Sequence, residues 1–271
     1  PKPRMFRADA TQALVNRMGF NNEGSEQISD NLAKHFAKYG APKVPLWVNL
    51  GKSKITPLED AHEDYGATMR ALWKFTDVFV VNVSSPNTPN LRELQNDEGL
   101  MRILDTCHQV NQDLATAGAE KPILVKVAPD LTDQQLEHVV KTARSSGAAG
   151  IVLSNTTLTR PEGKSAKEQS IFAETGGLSG RPLLNRSTEM IRIVSKMTKG
   201  EWPIVGVGGV MSADDAWEKI RAGASLVQAY SGFVFEGPSL TKSVVHGIHN
   251  HLDIHDFSTM KEAIGSGTTS V

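Results

Sequence analysis

The stretch "DVFVVNVSSPNTPNLRELQ", residues 77–95, runs apolar and then stops in a cluster of small polar side chains. Val78-Phe79-Val80-Val81 reads as a strand, and it ends in Asn82, Val83, Ser84, Ser85, Pro86 and Asn87. Polar groups at the end of a buried strand cost free energy unless they find partners. Five further runs have the same shape: "VPLWVNLG" (44–51), "PILVKVAPD" (122–130), "AGIVLSNTT" (149–157), "PIVGVGGV" (203–210) and "SLVQAYS" (225–231). Each is rich in Val, Ile and Leu without alternating with charge, as in parallel strands covered on both faces.

Helix-like text separates the runs. "PLEDAHEDYGATMRALWKF" has acids in its first turn and Arg70 and Lys74 near its end, which suits the helix dipole. "TDQQLEHVVKTARSSG" opens on Thr132 as N-cap and closes on Gly147, and "SADDAWEKIRAG" runs from Ser212 to Gly223 in the same manner. Strand and helix in alternation predict an α/β fold with a parallel sheet. Asn49, Asn82, Lys126, Asn155, Gly208 and Tyr230 all stand at or just past the C-terminal end of a run. In a (β/α)8 TIM barrel those ends open on one face, where active sites lie. Any one of them alone reads as a turn or cap; six together predict a shared pocket. Only six of the eight strands of such a barrel are readable. Residues 1–40 hold helix-like and loop text and no good strand, and "PKPRMFR" reads as an extended or irregular loop. The chain is read as one barrel domain over 1–271. A loop and helix segment (1–43) crosses the active-site face, six βα units occupy 44–260, and a tail occupies 261–271.

Composition narrows the function. The 271 residues are 39% hydrophobic and 22% charged with a net charge of −1, an ordinary globular balance that draws the chain to neither nucleic acid nor a membrane surface. Cys107 is the single cysteine, which excludes an internal disulfide. The eight histidines are scattered and form no metal set. No apolar run approaches the ~20 residues of a membrane-spanning helix.

The glycines of "GVGG" (206–209) and "AYSG" (229–232) end the last two runs, where barrels often bind phosphate. Lys126 sits inside an apolar run, so it either faces an anionic ligand or pairs with a structural carboxylate. Ser85 has no histidine in its motif and no GxSxG elbow, which argues against acyl transfer; a proton-abstracting role remains open to it. Asn16, Asn82, Asn87 and Asn155 offer paired donors and acceptors that suit a flat ring with N–H and C=O groups.

"NRMGFNN" (16–22), "VNLGKSK" (48–54), "VVNVSSPNTPNLRELQ" (80–95), "LVKVAPDLT" (124–132), "LSNTT" (153–157), "ETGGLSGRPL" (174–183), "GVGGVMSADDAWEKIRAGASLVQAYSGF" (206–233) and "AIGS" (263–266) together resemble the dihydroorotate dehydrogenase family, over nearly the whole chain and in family order. That resemblance implies a flavin (β/α)8 barrel that oxidises dihydroorotate to orotate in pyrimidine (UMP) synthesis. Where the soluble class carries cysteine this chain carries Ser85, as in the membrane-associated, quinone-reducing class. By resemblance Ser85 is the catalytic base. Asn16, Gly19, Phe20, Asn21, Asn82, Asn87, Asn155 and Thr156 hold orotate. Asn49, Asn82, Lys126, Ser154, Ser179, Gly180, Gly208, Gly209, Tyr230 and Ser231 hold flavin mononucleotide (FMN). Arg7 and Tyr230 match positions that line the quinone tunnel.

The departures are as informative. Family members place two strands before "PKPRMFR", the first with an Ala-Ala-Gly-Phe-Asp-Lys motif, the second ending in Gly-Ser/Thr-Val-Thr; neither stands in this sequence. Nor do the N-terminal helices that attach this class peripherally to the cytoplasmic side of the cell membrane. Ser154 and Ser231 replace a frequent threonine and keep its hydroxyl. The expectation is therefore a quinone-dependent enzyme whose first strands come from another segment and fill the gap between the runs at 44–51 and 225–231. The alternative is a non-catalytic barrel fragment that cannot hold FMN without those strands. A flavin barrel acting on nucleic acid, such as a tRNA dihydrouridine synthase, is disfavoured by the near-neutral charge and the lack of a basic run.

Overall fold

The six apolar runs form the six strands of one curled parallel sheet. In a computed structural model that describes residues 2–115 and 119–268, the strands are β3 (Trp47–Leu50), β4 (Val78–Asn82), β5 (Ile123–Val127), β6 (Gly150–Leu153), β8 (Ile204–Val207) and β9 (Leu226–Gln228). They pair in the order β3-β4-β5-β6-β8-β9. The final residues of the tail, 269–271, and Pro1 lie outside the described residues.

The pleat sorts side chains with a period of two. Phe79 and Val81, Ile123 and Val125, and Ile151 and Leu153 point outward into the main core. There they meet α2 (Ala61–Leu72), α3 (Asp97–Leu114), α4 (Asp133–Ser145) and α6 (Leu184–Met197). Val80, Leu124, Val152 and Val205 form a second cluster on the inner face. Two residues further along the same face stand Asn82, Lys126 and Ser154, while the equivalent Val207 joins the apolar cluster. The apolar floor of the curl and the polar groups above it are thus written by one alternation.

The helices start where the sequence places their caps. Thr132 and Gln135 form a capping box at α4. The Ser212 hydroxyl accepts from the Asp215 amide at the start of α7 (Ala213–Arg221). The remaining helices are α1 (Ser25–Tyr39), α5 (Ala166–Phe172), α8 (Ser231–Glu236), α9 (Ser239–Ile254) and α10 (Met260–Ala263).

One expectation is corrected. Residues 1–40 do contain strands: β1 (Met5–Ala8) and β2 (Ala13–Asn16) form an antiparallel hairpin, so the end of "PKPRMFR", Met5 to Arg7, is strand rather than loop. The hairpin pairs through β2 with β7 (Gly177–Gly180), also unread from sequence, to make a separate three-stranded sheet. Each of these strands is four residues long, and β7 is half glycine, so none carries a propensity signal of its own. Among the described residues no strand pairs with the outer edge of β3 or β9, and β1, β2 and β7 are committed to their own sheet.

Candidate active site

A cavity of about 430 Å³ opens at the C-terminal ends of the parallel strands. It is walled by β3 to β9 on one side and by the hairpin and β7 on the other. The short antiparallel sheet is pinned in place at both ends. At the hairpin tip Thr11 donates its amide and hydroxyl to the Glu168 carboxylate of α5, at 2.9 and 2.7 Å. At the other end Thr157, just past β6, bridges to Leu178 of β7. This brings Asn16, at the end of β2, over the strand ends, where the Asn87 Nδ2 donates to its Oδ1 at 3.2 Å.

The polar cluster of the "NVSSPN" stretch is a closed network with a few groups left over. Asn82 Oδ1 accepts from the Ser84 hydroxyl at 2.7 Å and from Asn155 Nδ2 at 3.2 Å. Asn155 Nδ2 also reaches the Ser84 Oγ at 2.8 Å, and Asn155 Oδ1 accepts from the Thr156 amide at 2.7 Å. From behind, the hydroxyl of fully buried Tyr65 donates to the Asn82 carbonyl at 2.9 Å. Burial, with Cys107 nearby, holds the Tyr65 phenol far above its ordinary pKa, so it stays a donor. The network uses the Asn82 oxygen and leaves Asn82 Nδ2 available as a donor. The Thr156 hydroxyl is buried without a protein partner. Ser85 is 6% exposed, and its Oγ accepts from the Asn87 amide at 3.2 Å.

Lys126 is half-buried at the end of β5. Its polar partner is the amide oxygen of Gln228 at 3.5 Å, not a carboxylate. Desolvation without a countercharge pushes its ammonium down to about 8. Such a cation is poised for an anion. Gly208 and Gly209 line the same cavity with φ of 122° and 75°. A Cβ on Gly209 would come within 2.6 Å of the Leu184 backbone, so only glycine fits between strand end and α6.

Of the residues singled out from sequence, Asn16, Gly19, Phe20, Asn82, Ser85, Asn87, Asn155 and Thr156 line the cavity. So do Asn49, Lys126, Ser154, Ser179, Gly180, Gly208, Gly209, Tyr230 and Ser231. Two do not. Asn21 is exposed just beyond the turn made by Gly19 and Phe20, whose φ values are positive. Arg7 pairs with Asp9 at 2.6 Å and stacks on Phe235 of α8, 4.3 Å from the ring centre, which holds it outside the wall. The wall also contains Met18, Leu183 and Gln228, which the sequence reading missed. Gln228 had a signal: it stands two residues after Leu226, as Asn82 stands two after Val80. Among the described residues no cluster of His, Cys, Asp or Glu could hold a metal, and no helix is long and apolar enough to cross a membrane.

A curled βα sheet whose strand ends converge on one polar cavity defines the barrel class of enzymes. Within that class, the dihydroorotate dehydrogenase family model matches residues 1–252. A dihydroorotate dehydrogenase (quinone) of Synechococcus elongatus is 44% identical over 270 residues, covering 98% of this chain and 70% of the relative. One of a Cyanothece species is 46% identical over 261 residues, covering 93% and 66%. Among solved structures, the Eimeria tenella enzyme in complex with ferulenol superposes with a TM-score of 0.91 at 33% identity, covering 100% of this chain and 75% of that one. The chain belongs to the dihydroorotate dehydrogenase family.

Proposed function

We propose that this chain oxidises dihydroorotate to orotate with FMN as hydride acceptor and a quinone as the final electron acceptor, a step of pyrimidine synthesis. The observation that carries the reading is the buried Ser85 hydroxyl beside amides that converge from four separate segments on one cavity. The residues present fit the flavin. The uncompensated Lys126 ammonium and the glycine turn at 208–209 suit an anionic, phosphate-bearing group, and the partnerless Thr156 hydroxyl and spare Asn82 amide suit a ring with carbonyl and N–H edges.

When bound, FMN supplies an acceptor for the hydride leaving the substrate ring. The chain's residues do the rest. Asn82, Asn87, Asn155 and Thr156, with Asn16 and the Gly19–Phe20 turn, hold the pyrimidine and its carboxylate. As the C–H bond of the carbon beside the ring carbonyl breaks, Ser85 Oγ would take that proton and pass its own hydroxyl proton to a water at the cavity mouth, so the serine stays neutral. Burial keeps bulk water from competing for that proton. Lys126 would offset negative charge on the isoalloxazine, and Gly180, Gly208, Gly209 and Ser231 would hold the phosphate. Tyr230, 55% exposed at the cavity mouth, and Arg7, on Phe235 of the helix that follows it, mark the side from which a quinone is met. That side would face the cytoplasmic leaflet in a peripheral attachment.

The test is anaerobic. The chain is saturated with FMN and mixed with dihydroorotate, and the visible flavin absorbance is followed. It should bleach, and a short-chain quinone should restore it. Flavin that binds and does not bleach would exclude the reaction. A chain that takes up no flavin would favour the non-catalytic fragment.

A further inference from the structure

Arg92 does not line the cavity, yet it touches both halves of the proposed substrate site. Its Nε donates to the Ser84 carbonyl at 3.0 Å, and its Nη2 donates to the Thr156 carbonyl at 2.8 Å. The first belongs to the peptide bond leading into Ser85. The second belongs to the residue whose hydroxyl is left over in the site, next to Asn155. The third donor, Nη1, meets Asp130 at 2.7 Å, and Asp130 in turn accepts from the Thr157 hydroxyl and from the Leu158 amide at 3.2 Å. One planar guanidinium thus bonds three segments that lie 8, 38 and 64 positions away from it in sequence.

The anchor is stiff. Arg92 stands on a 3₁₀ turn, Leu91–Gln95, whose Leu91 and Leu94 are buried in the main core. Gln95 closes the turn on the Arg92 carbonyl at 3.1 Å, and its oxygen accepts from the Ala128 amide beyond β5 at 2.9 Å. A fork of fixed geometry on a buried base holds a distance; a lysine in its place would meet Asp130 as a point charge and could not bridge two carbonyls.

Resting on the proposed reading of the cavity as an orotate site, we infer that Arg92 is a positioning residue: it sets the separation between the Ser85 loop and the Asn155–Thr156 loop, and so the fit of the substrate ring, without touching the ring. The phosphate end of the cavity, at 180, 208–209 and 231, lies outside its reach, and that separates this role from general support of the fold.

The experiment compares wild type with Arg92→Lys by three readouts: amide hydrogen exchange, orotate affinity and FMN affinity. Exchange should rise together in peptides covering 83–88 and 154–158 and stay unchanged at 206–210. Orotate affinity should fall by about tenfold or more, with the KM for dihydroorotate rising in step, while FMN affinity holds within about twofold. Wild-type exchange in both loops, or orotate and FMN affinities falling alike, would overturn the assignment. If Arg92→Lys does not fold, Asp130→Asn decides: it removes the countercharge and keeps both carbonyl bonds, so orotate affinity should change by less than about threefold. A loss of tenfold there would make the ion pair the operative contact and sink the clamp. If wild type binds neither FMN nor orotate, the reading of the cavity fails, and the exchange data alone judge the clamp.

Discussion

Ser85 and Lys126 stand in the same cavity and respond to its dryness in opposite senses. For Ser85 in the proposed reaction the excluded water is an asset: its Oγ accepts from the Asn87 amide and keeps a second lone pair for a proton. Ser85→Ala should leave FMN bound and slow flavin reduction by dihydroorotate at least ~100-fold in stopped flow, the scale of general base catalysis. Near-wild-type reduction would remove Ser85 from the mechanism. Ser85→Cys should retain part of the rate with a shifted pH profile, because a thiol ionises closer to neutrality. For Lys126 the dry site is a cost, and its pKa falls to about 8 because the charged form is poorly solvated. A cation beside the flavin ring raises its reduction potential. Lys126→Ala should therefore lower the potential and weaken FMN retention, and the gap to wild type should narrow as pH rises past about 8. Unchanged potential with stoichiometric flavin would leave Lys126 a structural residue.

At the scale of elements, two devices hold the site, and each can be probed. The hairpin reaches the cavity only if β2 pairs closely with β7. Gly180 ends β7 at φ +103°, and a Cβ there would stand 2.3 Å from the Gln12 carbonyl oxygen. Gly180→Ala should cost about 1–3 kcal/mol by urea titration and loosen the hairpin toward proteases; an unchanged midpoint would show that the hairpin yields freely. The other device lies behind the glycine turn at 208–209. Lys219 of α7 is fully buried and donates to the Ser187 and Thr188 hydroxyls at 2.6 and 3.1 Å. Ser187 also contacts the Gly208 carbonyl at 3.1 Å. Desolvation lowers the Lys219 ammonium to about 7, against a smaller opposing pull from Asp215, which is itself paired with Arg181 at 2.5 Å. Below about pH 7 folded and unfolded chains both carry the proton. Between there and the ordinary lysine range the unfolded chain binds more protons, so stability rises with pH. Wild type should gain in urea midpoint over that window, and Lys219→Met should lose that gain. Parallel pH profiles for the two would contradict the assignment.

At the scale of the molecule the sheet is open. Inner-face positions near its edges are uncovered, with Leu226 52% exposed and Asn49 exposed, and the free edges of β3 and β9 present unpaired backbone. Such edges template association. The 271 residues expressed alone should self-associate at micromolar concentration in sedimentation velocity, and a monodisperse monomer with full flavin would contradict this. The parallel sheet, its helices and most of the cavity wall could be read from the sequence. A buried parallel strand needs a continuous apolar run, and a strand end facing a ligand must break that run with polar residues, so both are written locally in stretches such as "VVNVSS". The caps at Thr132 and Ser212 are equally local. The antiparallel sheet could not be read: the β1–β2 hairpin is held by β7, which pairs with β2 across more than 160 positions, as Asn16 does with Gly177. Arg92 likewise carries no local sign of its role, because its carbonyl partners at Ser84 and Thr156 are set by the fold. What the sequence alone determined is which residues must leave water and which must stay polar at the strand ends, since burial free energy acts on each side chain through its immediate pattern. Which polar groups face one another, and which of them the protein leaves unsatisfied for a ligand, only the tertiary structure decided, because hydrogen bonds depend on distances that a linear order does not contain.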